Sequence, residues 1–350
     1  MAKSAARKRA LVVGCGGMGR AWMKNLQANV RAQLVGVVDV RHEAALAAAK
    51  EFGLSPEAAF TDLKAAIAAL SPDFVCDITI PAAHCITTVT ALRQGVPVLG
   101  EKPLANSMAE GRKMVAAAEK AGLTSMISQS RRYDGNHVAI RNALRKGALG
   151  DITTLNCDFY IGAHFSPPNG TDFRDLMESP LILDMSIHHF DLARFFLAAD
   201  PVAVYCHEFN PKGSWYKGDV AATAIFELAN GAVFTYRGSW CAEGRHTSWH
   251  GDWRIIGERG SITYENDQEA KGERLLKKPK PGFFHDKEPL LLPKASLKGD
   301  GIAGSLNEFL DHLLKGTPVQ CETKDNIKSL AMVFAAMKSS RSGKREKITW

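Results

Sequence analysis

The chain has 350 residues, of which 45% are hydrophobic and 23% are charged, as in an ordinary globular protein with room for two domains. These proportions exclude collagen-like, coiled-coil and wholly disordered chains, and no run of about 20 apolar residues predicts a membrane helix. The net charge is +7, but four positive charges lie in the first nine residues, which leaves the rest of the chain at about +3. Because no basic stripe is interleaved with aromatic residues, we expect no nucleic-acid partner.

The cysteines and the N-terminal residues bear on the compartment in which the protein works. The seven cysteines are odd in number and scattered, and they form no C-x-x-C pair. They indicate neither a disulfide framework nor a cysteine-ligated zinc site, so reduced thiols in the cytoplasm fit best. Residues 1–8 are predicted to be a disordered basic tail, since the apolar stretch that follows is too short for the core of a secretion signal.

From residue 9 to residue 128, short apolar runs alternate with helical patterns, which is typical of a parallel sheet with crossover helices. Strands are predicted over residues 9–13, 33–39, 74–78, 96–99 and 124–128. Helices are predicted over residues 18–29, 43–52, 62–70, 81–94 and 108–121. The pattern predicts an α/β Rossmann domain with a doubly wound parallel sheet over residues 9–128.

The pattern changes near residue 129, where longer strands begin. Strands are predicted over residues 153–161, 202–209, 221–228, 231–240 and 253–256, and helices over residues 137–146, 181–197, 305–314 and 324–340. Asn230-Gly231 indicates a hairpin, and hairpin-linked strands predict an open antiparallel sheet. We therefore expect an α+β domain over residues 129–350, with an irregular stretch rich in Lys, Pro and Gly over residues 268–298.

A glycine cluster directly after the first predicted strand has the spacing G-x-G-x-x-G and opens a helix. In a dinucleotide-binding loop the first glycine allows a tight turn, the second admits the pyrophosphate, and the third permits close packing of helix on strand. The free N–H groups at the start of the helix would meet the phosphate charge. The candidate cofactor-binding residues of this loop are Gly14, Gly16, Gly17, Met18 and Gly19.

Two charged residues after the second predicted strand bear on the choice of cofactor. Asp39 lies 20 residues after Gly19, where a carboxylate can accept hydrogen bonds from the ribose hydroxyls, although it could also simply begin a turn. A carboxylate repels a ribose phosphate and so favours NAD, whereas Arg41 could hold the 2′-phosphate of NADP. The sequence therefore predicts NAD and leaves NADP as an alternative.

Three further segments carry reactive side chains. T-x-P-x-x-H at residues 79–84 and Glu-Lys-Pro at residues 101–103 each follow a predicted strand, at the carboxyl end where ligands collect in parallel sheets. Asp184 and His188 are four residues apart on a predicted helix and share one of its faces, and Asp191 follows on the same face.

Together these features resemble the glucose–fructose oxidoreductase, inositol dehydrogenase and rhizopine-catabolism (Gfo/Idh/MocA) oxidoreductases. The resemblance rests on the glycine loop, the T-x-P-x-x-H segment, Glu-Lys-Pro and D-x-x-x-H, and it extends from about residue 9 to the end of the chain. It implies a Rossmann domain, a second domain over residues 129–350 that serves substrate binding and oligomerisation through an open-faced sheet, and an active site in the cleft between them. It also implies a homodimer or homotetramer, because the free sheet face commonly forms the interface in this family.

The resemblance implies a catalytic set of Lys102, Asp184 and His188. Lys102 would hydrogen-bond the reacting hydroxyl, His188 would take its proton, and Asp184 would orient His188 or the substrate. Taken alone, Lys102 could be a solvated loop lysine and His188 a hydrogen-bonded helix histidine. The residues that would line the nicotinamide-ribose end of the site are Thr79, Pro81, His84, Glu101 and Lys102.

The segment before the predicted catalytic helix departs from the family, because residues 179–181 read Ser-Pro-Leu where many relatives have a pair of glycines. No metal site is predicted, because His188 and His189 point about 100° apart on a helix and would chelate poorly. The residues that we expect to bind substrate are Arg132, Tyr160, His164 and Arg174.

The resemblance implies an NAD(P)-dependent oxidoreductase that transfers a hydride between the nicotinamide and a ring hydroxyl or ketone of a sugar or cyclic polyol. Two alternatives stay open at this point. The first is an enzyme that retains NAD and acts by transient oxidation, as a glycosidase or a sugar–sugar oxidoreductase does. The second is a non-catalytic regulator that senses NAD(P).

Overall fold

The structure is a computed structural model that describes residues 7–166 and 171–350. The strands are β1 (Lys8–Val13), β2 (Ala32–Val38), β3 (Ala59–Phe60), β4 (Phe74–Asp77), β5 (Val98–Gly100), β6 (Ser125–Ile127), β7 (Ile152–Tyr160), β8 (Pro201–Phe209), β9 (Ala221–Leu228), β10 (Val233–Ser239), β11 (Asp252–Gly257), β12 (Gly260–Tyr264), β13 (Lys271–Leu275), β14 (Lys287–Leu291) and β15 (Glu346–Lys347).

The helices are α1 (Gly17–Ala28), α2 (His42–Glu51), α3 (Leu63–Leu70), α4 (Pro81–Arg93), α5 (Met108–Ala121), α6 (Gly135–Arg145), α7 (Phe173–Leu176), α8 (Ile187–Leu197), α9 (Gly301–Lys315) and α10 (Thr323–Ser342). Leu181–Ser186 forms a π-helical segment directly before α8, and Pro56–Ala58 and Ser130–Tyr133 form short 3₁₀ turns. None of the helices in the part of the chain that the structure describes is long and apolar enough to cross a membrane.

The first compact unit is built on a six-stranded parallel sheet with the strand order β3-β2-β1-β4-β5-β6. The order reverses between β1 and β4, and ligands of doubly wound sheets bind at the carboxyl ends of the strands at such a switch point. The central strands are apolar because helices cover both faces: Ala10, Leu11 and Val12 of β1 are fully buried. The Rossmann architecture predicted from the alternating pattern is confirmed.

Residues Lys298–Leu330 also belong to the first unit, although the sequence analysis assigned them to the second domain. Helix α9 buries Leu306, Phe309 and Leu310 in the same apolar cluster as Trp22 of α1. An amphipathic helix packs wherever a complementary apolar surface exists, and the sequence pattern of α9 does not say which surface that is. The assignment of residues 129–350 to a single domain is therefore wrong for this segment.

The N-terminal tail is shorter than predicted. Residues 1–6 lie outside the described residues, but Lys8 is the first residue of β1 and pairs with Ala32 of β2. Its ammonium group also lies 3.3 Å from a carboxylate oxygen of Asp73. The sequence pattern did not include Lys8 in the strand because its side chain is charged. Only the alternate or central residues of β1 need to be apolar.

The second unit comprises Asp134–Leu297 and Ala331–Trp350 and is built on a nine-stranded sheet. Its order is β14-β13-β12-β11-β7-β10-β9-β8-β15, and its neighbouring strands are antiparallel except β7 and β10, which are parallel. The sheet is therefore mixed rather than wholly antiparallel as predicted. The parallel pair arises because the chain leaves β7, passes through α8, and returns by the β8–β9–β10 meander alongside β7.

The irregular stretch predicted over residues 268–298 contains a further hairpin, formed by β13 and β14 at one end of the sheet. Gly272 pairs with Leu290, while Lys271 and Glu273 are exposed. Charged residues and a proline are common at sheet edges, where they discourage pairing with another chain. Because of these edge residues, the sequence of β13 and β14 does not show the alternation of apolar and polar residues that predicts a strand.

Candidate active site

The loop between β1 and α1 is shaped by glycines that cannot be replaced without collision. Gly14 has a φ of +99°, and a Cβ there would lie 2.3 Å from the carbonyl oxygen of Ile78. A Cβ at Gly19 would lie 2.0 Å from the carbonyl oxygen of Gly14, so α1 packs closely on the loop. These are the roles that the spacing predicts for the first and third glycines.

The same loop has room and free donors for a phosphate group. Among the described residues, no atom lies within 4 Å of a Cβ built at Gly16 or Gly17. Helix α1 begins at Gly17 without a side-chain cap or an acidic residue in its first turn, and Met18 beside it is exposed. Backbone N–H groups at an uncapped helix start suit an anion, so the residues present fit the pyrophosphate of a dinucleotide.

Asp39 follows β2 and faces the glycine loop. One carboxylate oxygen accepts the N–H of Cys15 at 2.9 Å, and the other accepts the N–H of Arg41 at 3.0 Å. The Arg41 guanidinium is largely exposed and lies 3.8 Å from the Asp39 carboxylate. Asp39 is thus held at the loop, whereas Arg41 has side-chain freedom. Burial raises the pKa of the Cys15 thiol to about 12, so this cysteine is not a nucleophile.

A buried polar cluster lies at the end of β4, and its central residue was not among the predicted site residues. Asp77 is fully buried and accepts hydrogen bonds from the hydroxyl groups of Thr79 at 2.6 Å and Thr88 at 2.9 Å. The Nδ1 atom of His84 lies 3.1 Å from the same carboxylate. A strand otherwise made of apolar residues that ends in aspartate was the available signal in the sequence.

His84 is 1% exposed, because α4, which begins at Pro81, buries its ring beside Asp77. The resemblance implied that His84 lines the nicotinamide-ribose end of the site. In this conformation His84 instead supports that edge of the sheet through Asp77, while Thr79 and Pro81 are partly exposed there.

The next strand end carries Glu101 and Lys102. Glu101 is buried and accepts hydrogen bonds from the indole N–H of Trp22 at 2.8 Å and from the backbone N–H of Lys102 at 3.1 Å. Burial raises the pKa of the Glu101 carboxyl, and the two hydrogen-bond donors oppose that rise. Lys102 is the second residue after β5, and its side chain is partly exposed at the carboxyl edge of the sheet that carries the glycine loop.

In the second unit, Asp184 lies in the π-helical segment and His188 in the first turn of α8. The sequence predicted one uninterrupted α-helix over residues 181–197. The wider turn is accompanied by a hydrogen bond from the hydroxyl of Ser186 to the carbonyl of Leu181, five residues earlier, at 3.0 Å. π-Helical turns occur often at functional sites, and this turn holds Asp184, one of the three predicted catalytic residues.

Arg174 holds the Asp184 carboxylate. Its Nε atom donates to Asp184 at 2.7 Å, and its Nη1 atom donates to Asp172 at 3.1 Å. The guanidinium lies over the rings of Phe165 and Phe173, with its central carbon 4.8 and 4.4 Å from the ring centroids. Arg174 is thus joined to a predicted catalytic residue, an arrangement that residue spacing did not reveal.

The other predicted substrate-binding residues are dispersed. Arg132 is buried in the first unit, donates to the carbonyl oxygen of Gln320 at 3.1 Å and lies 3.8 Å from Asp325. Side chains alternate along β7, so Tyr160 lies on the same face of the sheet as Asp158. Phe159 lies on the opposite face, where its ring contacts His189 of α8. Arg132 thus belongs to the interior of the first unit, and Tyr160 lies on the sheet face of the second unit that is directed away from α8.

His164 borders a cavity of about 480 Å³ in the second unit. Its ring stacks on that of Trp215 at 3.7 Å, and its Nε2 atom lies 2.9 Å from Glu243. His189 has a different environment from its neighbour His188: it is fully buried among aromatic rings, with the ring of Phe159 at 4.9 Å. His189 is therefore a core residue.

Two models of one family match this chain. A model described as an oxidoreductase family with an NAD-binding Rossmann fold matches residues 8–129, and the GFO/IDH/MocA C-terminal domain matches residues 137–263. The chain belongs to the Gfo/Idh/MocA oxidoreductase family. This confirms the resemblance stated from the sequence, and it makes the first unit an NAD-binding domain of an oxidoreductase.

Relatives along nearly the whole chain include two dehydrogenases. D-apiose dehydrogenase from Paraburkholderia graminis is 26% identical, over 97% of this chain and 89% of that protein. Inositol 2-dehydrogenase from Rhizobium meliloti is 25% identical, over 94% of this chain and 95% of that protein. An oxidoreductase from Agrobacterium radiobacter, solved with NAD⁺, L-tartaric acid and magnesium, has the same fold, with a TM-score of 0.83 and 23% identity over 98% of each chain.

Proposed function

We propose that the protein oxidises a ring hydroxyl group of a sugar or cyclic polyol with NAD as the hydride acceptor. The observation that carries the proposal is the position of Lys102, the second residue after β5, at the edge of the sheet that carries the glycine loop. A cation there can stabilise negative charge on a reacting oxygen beside the cofactor. The sugar and polyol dehydrogenases among the relatives support the substrate class.

In the proposed reaction, the side chains manage the hydroxyl group of the substrate. His188 accepts the hydroxyl proton at an imidazole nitrogen as general base, and Lys102 donates a hydrogen bond to the oxygen as the C=O bond forms. Asp184 orients His188 or the substrate, and Arg174 fixes the Asp184 carboxylate through the 2.7 Å hydrogen bond. When bound, NAD accepts the hydride that leaves the carbon.

NAD rather than NADP is favoured by the carboxylate of Asp39, which is held by the backbone amide groups of Cys15 and Arg41. A fixed carboxylate suits two ribose hydroxyl groups and repels a phosphate on the same ribose. Arg41 could offset that repulsion only by turning its exposed side chain from Asp39 to the phosphate.

The test is reduction of NAD and of NADP, followed by the absorbance of the reduced nicotinamide, against inositols, aldoses and glycosides. We expect NAD reduction with at least one of them, and we expect Lys102→Met to lower kcat by about 10²–10³-fold while NAD binding, followed by fluorescence, is retained. Lys113→Met, at an exposed lysine of α5, is the matched control.

Activity of Lys102→Met equal to that of the unchanged protein would contradict the proposed chemistry. Silence across the panel with NAD bound would instead favour the two alternatives. NAD that stays with the protein through purification would then point to an enzyme acting by transient oxidation, and NAD that exchanges freely would point to a sensor.

The proposed enzyme is a homodimer or homotetramer that buries one face of the second unit's sheet. Tyr205 and Ile225 are paired neighbours on that face, and both are close to half exposed, as is Phe209. Contiguous exposed apolar side chains on a sheet favour association. A solution mass of one chain would contradict this. A reducing compartment such as the cytoplasm suits the seven cysteines, none of which forms a disulfide bond.

A further inference from the structure

Three metal-ligating side chains meet in the second unit at the start of α6. Asp134, His137 and His250 each present one ligand atom, and these atoms lie within 4.8 Å of one another. The two imidazole rings are 4.8 Å apart between centroids. His137 is fully buried, and the other two side chains are partly buried, so the cluster is not a solvated surface group. None of the three takes part in the proposed oxidation.

The first two residues are held in place by the helix start. One carboxylate oxygen of Asp134 accepts the backbone N–H groups of Asn136 at 2.9 Å and His137 at 3.1 Å, which caps α6. A carboxylate has about four lone-pair sites, so these two hydrogen bonds leave acceptor capacity for a cation. The His137 Nδ1 atom lies 3.8 Å from the same carboxylate.

His250 reaches the cluster from the loop before β11, and its backbone is fixed. Its N–H donates to the hydroxyl of Ser248 at 3.1 Å, and its carbonyl accepts the indole N–H of Trp253 at 2.9 Å. The next residue, Gly251, has a φ of +74°, and a Cβ there would lie 3.0 Å from the sulfur of Cys157. These contacts hold the loop in a conformation in which the His250 ring lies beside that of His137 in α6.

A second carboxylate stands behind His250. Its Nδ1 atom lies 3.2 Å from the hydroxyl of Tyr264 and 3.4 Å from Asp267, and the Tyr264 hydroxyl donates to Asp267 at 3.0 Å. Metal-bound histidines commonly direct their other ring nitrogen to a carboxylate or hydroxyl in this way, which fixes the ring and raises its basicity. A metal ion at this cluster would take the other ring nitrogen of His250, Nε2, as its ligand.

We propose that Asp134, His137 and His250 form a binding site for a divalent transition-metal ion, with Zn²⁺ as the best match. Two imidazoles and one carboxylate suit zinc and its neighbours, whereas Mg²⁺ and Ca²⁺ prefer oxygen ligands. Ligand atoms at about 2.0–2.2 Å from a tetrahedral ion lie roughly 3.3–3.6 Å apart, so the present spacing closes onto an ion with small side-chain rotations. A water molecule would supply the fourth ligand.

The ion would join the start of α6 to the loop before β11, two segments that are distant in the sequence. Binding to the folded state alone stabilises that state by mass action. The site is therefore expected to raise the thermal stability of the second unit, and this readout is independent of the proposed oxidation.

The test uses the full chain, stripped with a chelator and then titrated with Zn²⁺, Co²⁺ or Mg²⁺. We expect one equivalent of Zn²⁺ to bind and to raise the thermal midpoint by several degrees, and we expect Co²⁺ to give the intense visible absorption of a four-coordinate site. Mg²⁺ should produce neither effect. His250→Gln should lose both signals, and His285→Gln, at an exposed loop histidine, should keep them.

Asp267→Asn distinguishes loss of the site from loss of the fold, because it leaves all three ligands in place. It should weaken Zn²⁺ binding by about 10–100-fold without unfolding the apo-protein, which circular dichroism would check. The proposal is overturned if the stripped protein binds no Zn²⁺ stoichiometrically, or if His250→Gln responds to Zn²⁺ as the unchanged protein does.

Discussion

In the first unit the polar groups of the candidate site follow the ends of neighbouring parallel strands, whereas in the second unit they lie on α7, on the π-helical segment and on the first turn of α8. Asp77 is the last residue of β4, and Lys102 is the second residue after β5. Both lie at the edge of the sheet that carries the glycine loop. Asp184, by contrast, is held by Arg174, ten residues away along the chain. The first arrangement follows from backbone topology, and the second depends on which side chains pair.

Buried carboxylates show the same contrast. Asp77 in the first unit accepts from two threonine hydroxyls and lies beside His84. Glu208 in the second unit is also buried, but among the described residues its Oε1 atom has no hydrogen-bond partner. Burial raises the pKa of the Glu208 carboxyl to about 7, against which a nearby Ser179 hydroxyl acts only in part. The carboxylates of Asp77 and Glu208 are both buried, so they differ in their hydrogen-bond partners more than in their burial.

The largest expected effect is on turnover. His188→Asn removes the proposed general base, and we expect kcat to fall by about 10²–10⁴-fold. The rise of kcat/KM with pH that a neutral imidazole base requires should disappear as well, while NAD affinity should be unchanged. Stopped-flow turnover across pH and NAD titration measure both. His285→Asn, at an exposed loop position, is the control.

If His188→Asn weakened NAD binding as strongly as it slowed turnover, the division into a cofactor half and a substrate half would fail.

The next effect is on stability. Because the folded-state pKa of Glu208 is about 7 and the ordinary value is 4.5, the folded protein holds the extra proton between these values, and stability falls as pH rises from about 4.5 to 7. Glu208→Gln removes this loss, and we expect it to stabilise the protein at pH 8 by about 3 kcal/mol. Urea unfolding at pH 4.5, 6 and 8 measures the change.

Glu227→Gln is the matched control for Glu208→Gln, because Glu227 is exposed on β9 and pairs with Arg345. Its pKa is lowered by that guanidinium, so it does not cause a decline in stability toward neutral pH. A decline that persists in Glu208→Gln would show that the second unit satisfies this carboxyl better than its contacts indicate.

The smallest effect concerns the first unit. Asp39→Asn keeps a side-chain acceptor for the N–H of Cys15 but removes the charge, and we expect NAD to bind about 10-fold more weakly. NADP should lose little, because the repulsion of its phosphate is removed together with the hydrogen bonds. Fluorescence titration with both cofactors measures the ratio. An unchanged NAD/NADP ratio would mean that Arg41, rather than Asp39, sets the preference.

The sequence alone determined the cofactor half. The roles of Gly14 and Gly19 were predicted from their spacing after a strand and at the start of a helix. A Cβ at Gly19 would collide with Gly14 in the same connection, whereas a Cβ at Gly14 would collide with Ile78, which follows β4. The parallel sheet was likewise predicted, because its alternation of strand and helix is a short-range signal. Lys102 was predicted as a site residue because it follows a strand end in a recognisable family motif, and strand ends collect at one edge of such a sheet.

Tertiary structure decided what depends on pairing between distant residues. Helix α9 carries the same amphipathic pattern wherever it packs, so only the structure assigned it to the first unit. Strand direction in β7 and β10, the burial of His84 against Asp77, and the ion pair of Arg174 with Asp184 likewise have no local signature. Local sequence fixes backbone geometry over a few residues, whereas these contacts exist only after the chain has closed on itself.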